Sequence, residues 1–265
     1  MPFQQIIDRS QTLLQADTRI AGFSIGGSWG TPGFDEYSDL DITIAVYSKY
    51  IEELLAERNL FLSELGNLLT AHQHAADPRI LVALYDCPPI LLHIDAKWVA
   101  LADYYDRIKD PRVVWERNGE LSQILNTTAA DPILLDMQFI EDRIWAWMHY
   151  ILAKLGRGEL MEAIAYLYEI RVHTLAPIIQ AKHDKLPYRL RRVESLPKAD
   201  FDLLLSTHCE YDTRDCLRAL HCLLDAYLML RETMSPPDLR QNAAAEAAMR
   251  RYMGYIEEKC GGSMG

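Results

Sequence analysis

Residues 40–47 read LDITIAVY, and the alternation of Leu40, Ile42, Ile44 and Val46 against Asp41, Thr43 and Ala45 commits this stretch to a strand with one covered face. Such a strand needs a sheet around it and something apolar laid over it, and the flanking segments supply both. Phe3, Ile6, Ile7, Leu13 and Leu14 fall on one helical face, and IAGFSIGG (20–27) reads as a short strand. Residues 48–72 return to helical spacing. RILVALYD (79–86), the turn signal CPP and ILLHIDAKWVAL (90–101) predict two strands joined tightly and antiparallel. The order helix, strand, loop, strand, helix, strand, strand describes a small sheet with helices on it, and it occupies residues 1–110.

From about Asp131 the pattern changes. DPILLDMQFIEDRIWAWMHYILAKLGRGELMEAIAYLYEIRVHTLAPIIQAKH keeps apolar residues at helical spacing, interrupted by GRG and Pro177, and residues 212–234 add another long helix. The fold class is therefore α+β: a small mixed sheet with flanking helices, followed by an all-helical bundle. The bundle is assigned to 131–259, the charged stretch 111–130 with its Pro and Gly to a linker, and 260–265 to a tail. A formal charge of −11 argues against a general nucleic-acid binder, whose affinity would rest on Lys and Arg meeting phosphates. The five cysteines show no C-x-x-C pair or metal-ligand spacing and read as reduced, structural thiols. The N-terminus has no cationic segment leading into an apolar run, and no window is apolar enough to span a bilayer, so a cytoplasmic protein without a membrane partner is expected.

Chemistry concentrates in GGSWGTPGFDEYSDLD, residues 26–41. Gly26, Gly27 and Ser28 close a strand, ten residues intervene, and Asp39-Leu40-Asp41 opens the next strand. Alternate side chains of a strand share a face, so Asp39 and Asp41 project together while Leu40 points into the core. Two carboxylates a pleat apart suit Mg²⁺, which binds through few protein carboxylates and completes its shell with water and substrate phosphates. Asp95 shares a strand face with His93 and Lys97 and is placed to face the same cleft as a third acid. Glycine N–H groups and the Ser28 hydroxyl can approach a triphosphate. Asp35 and Glu36 are expected in a solvated loop.

The pattern IGGS, a ten-residue gap, DLDI and a later strand Asp resembles the DNA polymerase β-like nucleotidyltransferase superfamily. The resemblance covers about the first hundred residues. It implies the fold of that superfamily, phosphate contact by Gly27 and Ser28, metal binding by Asp39 and Asp41, and Asp95 completing a two-metal Mg²⁺ site that takes ATP or another NTP. The second half is more loosely similar to the helical domain of aminoglycoside 6-adenylyltransferases, through EDRIWAW, Tyr150 and RGELMEA. That likeness implies transfer of AMP from ATP to a hydroxyl of a small cationic acceptor with release of pyrophosphate. It also makes Glu141, or its neighbour Asp142, the candidate general base, with Trp145, Tyr150 and Glu169 lining the acceptor cleft and Arg143, Arg171 or Lys97 meeting the triphosphate. Adenylylation of a protein or RNA, and a nucleotide-binding regulator without catalysis, stay open beside this, as do monomer and homodimer.

Several other residues carry plainer expectations. Trp98, Trp145 and Trp147 and the stripe Ile144, Met148, Ile151, Leu155 read as core. His72 and His74 fall at a helix end without a third ligand, and Arg189, Arg191 and Arg192 read as a solvated or salt-bridged surface.

Overall fold

The computed structural model describes residues 2–261. The chain divides into two compact units, Met1–Pro132 and Ile133–Gly265.

The first unit is built on a six-stranded mixed sheet. Its elements are α1 (Pro2–Ala16), β1 (Ile20–Ile25), β2 (Leu40–Val46), α2 (Ile51–Leu65), β3 (Leu68–Gln73), β4 (Ile80–Cys87), β5 (Ile90–Ala100), β6 (Arg112–Glu116) and α3 (Glu120–Thr127). Across the sheet the strands run β3-β4-β5-β2-β1-β6. All neighbours are antiparallel except β2 and β5, which pair in parallel. The alternation of β2 has the expected result: Leu40, Ile42 and Ile44 are buried, with Phe23, Ile25, Leu92, Ile94 and Trp98, beneath Phe3, Ile6, Ile7 and Leu14 of α1 and Leu54, Leu62 and Leu65 of α2. The other face carries a smaller apolar cluster, Ala21, Ala45, Val99, Tyr104 and Leu121, at the end where α3 packs. Beyond that cluster the same face turns polar.

Two expectations fail here for one reason. Residues 68–72, expected to continue the preceding helix, form β3, so His72 lies on a strand and His74 just beyond it. Residues 111–130 form no linker; they hold β6 and α3. Both strands are sheet edges. β3 buries no side chain fully, and β6 sits between Pro111 and the Asn118-Gly119 turn, so neither carries the apolar alternation of an inner strand.

The second unit is helical: α4 (Met137–Gly156), α5 (Leu160–Ile170), a π-helical turn (Arg171–Leu175), α6 (Ala176–Lys182), α7 (Lys198–Ser206), α8 (Thr213–Met234) and α9 (Ala243–Gly261). Asp136 caps α4 by accepting from the Phe139 N–H, and Asp212 caps α8 by accepting from the Asp215 N–H. Ile144, Met148, Ile151 and Leu155 are core as expected, and so are Trp98 and Trp145, whereas Trp147 is only partly buried. Cys260 and Gly261 continue α9; residues 262–265 of the expected tail lie outside the described residues. Among the described residues no helix is long and apolar enough to cross a membrane.

Candidate active site on the sheet of the first unit

In the parallel ladder of β2 and β5, Asp41 stands opposite Asp95, Thr43 opposite Lys97 and Ala45 opposite Val99. Because Leu40, Ile42, Ile94 and Ala96 point into the core, these pairs stand together on the other face. Two carboxylates from segments far apart in sequence are thereby held side by side at the start of β2. Asp39 precedes β2 by one residue and is partly exposed. Asp95 Oδ1 accepts from His93 Nε2 across 2.9 Å. Lys97 Nζ stands 3.6 Å from Asp77 Oδ2, and Arg79 holds Asp77 far below the usual carboxylate range.

The glycine turn lies directly against these acids. The Gly26 N–H donates to the Asp41 carbonyl at 2.8 Å. Gly27 has φ +62°, and a Cβ placed on it would stand 2.0 Å from Asp41 Oδ2. Only glycine permits both that backbone conformation and that approach. Ser28 follows, its carbonyl accepting from the Thr31 N–H at 3.0 Å and from Thr31 Oγ1 at 2.7 Å.

The rest of the loop is pinned rather than loose. Trp29 and Phe34 meet edge to face at 4.8 Å, and Phe34 meets Phe3 of α1 at 4.8 Å, so two loop aromatics reach into the core. Asp35 stays exposed, yet it shapes the turn: its Oδ1 accepts from the Tyr37 N–H and from Ser38 Oγ. Glu36 is exposed.

Beside the loop a cleft of about 350 Å³ is lined by Gly26, Gly27, Thr43, Lys97, Tyr104 and Lys109, among others. Its floor is fixed by Tyr104, whose hydroxyl donates to Ser24 Oγ at 2.8 Å. Burial pushes the Tyr104 phenol up to about 12, so it is a neutral donor at physiological pH. Arg107, a further lining residue, is committed to Asp110, Thr128 and backbone carbonyls. Lys97 and Lys109 are the other cations that line this cleft.

Among the described residues, no group of three or more His, Cys, Asp or Glu side chains is gathered closely enough to hold a metal ion. Asp39 lies outside the ladder that fixes the other two, and His93 draws one oxygen of Asp95 to its own side. The donor set still suits Mg²⁺: two register-paired carboxylates, with a glycine cradle that no side chain fills, match an ion that takes one or two protein carboxylates and draws the rest of its shell from water and phosphate.

Glu141 is not placed as a general base. It is fully buried in the second unit, where it accepts from the Asn242 N–H at 2.9 Å, Trp145 Nε1 at 3.1 Å, the Tyr227 hydroxyl, and Arg231 at 3.3 Å. Burial alone would raise its pKa, but these donors outweigh it and hold the carboxyl below its ordinary value. A carboxylate with both oxygens engaged and no exposure has no means of taking a proton from a substrate. Trp145 is buried against Tyr227.

Arg171 is also buried, and it donates to Thr207 Oγ1 and the Thr207 carbonyl, which removes it from phosphate binding. Arg143 lies over the Phe139 ring at 3.7 Å. Asp142, Tyr150 and Glu169 stay at the surface: Asp142 accepts from Gln138, Tyr150 packs on Tyr166 and Glu169 pairs with His173. Sequence reasoning missed Tyr104, Trp29 and Phe34; the two loop aromatics were visible between the glycines and the acids, whereas nothing local marks Tyr104.

No protein-family profile matches the chain, and no curated protein sequence matches it. Among solved structures, the chain is similar to an aminoglycoside 6-adenyltransferase from Bacillus subtilis, at 13% identity and a TM-score of 0.41 over 96% of this chain and 98% of that one. It is also similar to a nucleotidyltransferase-like protein from Exiguobacterium sibiricum, at 11% identity and a TM-score of 0.42 over 95% of this chain and 89% of that one.

Proposed function

We propose that this protein is a cytoplasmic, Mg²⁺-dependent nucleotidyltransferase that moves AMP from ATP to a hydroxyl of a small cationic molecule, such as an aminoglycoside, with release of pyrophosphate. The observation that carries the reading is the placement of Asp41 and Asp95 opposite one another on parallel strands, with the Gly26-Gly27 turn packed against Asp41.

In this reading Asp41 and Asp95 hold Mg²⁺ and Asp39 supplements them from the loop. When bound there, Mg²⁺ would neutralise triphosphate charge and favour ionisation of the attacking hydroxyl. The chain's own groups do the positioning. The Gly27 and Ser28 backbone presents N–H donors to phosphate oxygens, and Lys97 and Lys109 supply fixed positive charge at the neighbouring cleft. Asp77 holds the Lys97 ammonium at 3.6 Å.

The test is pyrophosphate release with each NTP, Mg²⁺ and a panel of aminoglycosides, with Asp41→Asn as the control. Turnover that depends on acceptor, Mg²⁺ and Asp41 supports the proposal. Turnover only with a protein or RNA acceptor would replace the small-molecule acceptor, and nucleotide binding without turnover on any acceptor would overturn the enzymatic reading.

A further inference from the structure

The helical unit contains a pair of thiols that the chemistry above does not use. Cys209 lies in the turn between α7 and α8, Cys216 lies in the first turns of α8, and both are free, with sulfurs 3.6 Å apart. A disulfide has sulfurs about 2.05 Å apart, so bonding needs an approach of about 1.5 Å, within reach of side-chain rotation.

The turn carrying Cys209 is braced from two sides. Arg171 holds Thr207 by side chain and carbonyl, and Arg218 donates to the carbonyls of Ser206 at 2.8 Å and His208 at 2.6 Å. The far side is tied down by the Glu210 N–H on Asp215 Oδ2 at 2.7 Å and the Cys216 N–H on the Asp212 carbonyl at 2.9 Å. The sulfurs are thus held together by structure built around them, rather than meeting on a loose loop. The surroundings also differentiate the pair. Cys209 is partly exposed and Cys216 is buried. Among the described residues no carboxylate forms an ion pair with the buried Arg171; burial lowers its pKa, and Cys209 lies near enough for a negative charge there to offset that. Burial pushes the Cys216 thiol up to about 12.

We propose that Cys209 and Cys216 are an oxidation site, closing to a reversible intrachain disulfide on exposure to a peroxide, with Cys209 attacking and Cys216 resolving. In the first step the Cys209 sulfur bonds to one peroxide oxygen as the O–O bond breaks, giving a sulfenic acid; the departing hydroxide leaves as water with the thiol proton. In the second, the Cys216 sulfur bonds to the Cys209 sulfur as the S–O bond breaks, and the second hydroxide leaves as water with the Cys216 proton. Two thiols are oxidised and one peroxide is reduced to two waters. The product ties the α7–α8 turn to the start of α8.

Arg214 lies between the two cysteines, so trypsin separates them unless they are bonded. The full-length protein is treated with hydrogen peroxide, remaining thiols are alkylated, and the digest is read by mass spectrometry without reduction. The expected result is residues 199–214 linked to residues 215–218, at the summed mass less two hydrogens, lost on dithiothreitol treatment, while Cys87, Cys222 and Cys260 stay alkylated. In Cys216→Ser, dimedone should trap the sulfenic acid on Cys209. Separate alkylated peptides after peroxide, a bond to any other cysteine, or a crosslink between two chains on a non-reducing gel would overturn the proposal. Dimedone on Cys216 in Cys209→Ser, with Cys209 unlabelled in Cys216→Ser, would overturn the assigned roles. Because the wild-type digest is the primary readout, a variant that fails to fold leaves the test intact.

Discussion

Replacing Glu141 separates a structural carboxylate from a catalytic one. In Glu141→Ala three neutral donors, the Trp145 indole, the Tyr227 hydroxyl and the Asn242 N–H, lose their acceptor, and Arg231 keeps only Glu246, at 2.8 Å. Breaking a buried ion pair by removing one partner costs about 3–5 kcal/mol. Three donors left without an acceptor, at the low end of about 1 kcal/mol each, reach the same range. Glu141→Gln keeps one carbonyl oxygen and should lose about 1–3 kcal/mol. Followed by circular dichroism in urea, a loss of about 4 kcal/mol with a slope of about 2 kcal/mol per M moves the midpoint down by about 2 M. The carboxyl's pKa is depressed, so its contribution is complete above the ordinary Glu value of 4.5 and is lost as pH falls through the lower folded-state value. The wild-type midpoint should therefore fall in acid, and the Glu141→Gln midpoint should fall less. A Glu141→Gln variant with an unmoved midpoint and a turnover reduced by about 10²–10⁴-fold would refute this reasoning and restore Glu141 as a general base.

Four further outcomes follow. Asp41→Asn and Asp95→Asn should each lower turnover by about 10²–10³-fold with unchanged circular dichroism, measured as pyrophosphate release; activity retained in both removes the sheet face from the chemistry. Gly27→Ala forces a Cβ to 2.0 Å from Asp41 Oδ2 at a positive φ, and the displaced carboxylate should cost about 10²-fold in kcat at near-native stability. Tyr104→Phe leaves the fully buried Ser24 hydroxyl without its donor and should destabilise the first unit by about 1–3 kcal/mol in urea. Asp200 accepts from Lys182 at 2.8 Å and His183 at 2.6 Å; burial would raise its pKa, but these partners hold it below 3.8. Its contribution is present above that value and lost as pH falls through the lower folded-state value, so Asp200→Asn should flatten the decline in stability below about pH 4.

How far the sequence predicts this molecule depends on how far apart the interacting residues lie. The β2 pattern is local, and it led directly to Leu40, Ile42 and Ile44 in the core with Asp41 outside. The opposition of Asp41 to Asp95 is not local, since it depends on a parallel pairing that alternation in either strand alone does not specify. Edge strands escaped because they have one neighbour and less to bury: His72 on β3 and Val113 and Val114 on β6 sit in stretches whose composition looks like a helix end and a linker. Glu141 was nominated from its place in EDRIWAW, and nothing local marks its burial, since a charged residue near a helix start normally faces water. Its burial depends on Tyr227, Arg231 and Asn242, all contributed by later segments. The nearness of Cys209 to Cys216 likewise depends on a turn that no spacing rule describes.

The docking of β6 against β1 also bears on where this chain can be cut. Arg117, just after β6, donates to the carbonyls of Ile20, Gln15 and Asp17, so the strand is fastened at its end as well as along its ladder. At Gly22 the two strands run so close that a Cβ would meet the Trp115 carbonyl at 2.6 Å. A shortened chain ending before Arg112, as composition invites, would strip this cover and leave the buried strand β1 with a bare row of N–H and C=O groups, a template for a second molecule. Such a fragment would self-associate, whereas one carried through α3 to Pro132 would retain its own closing strand.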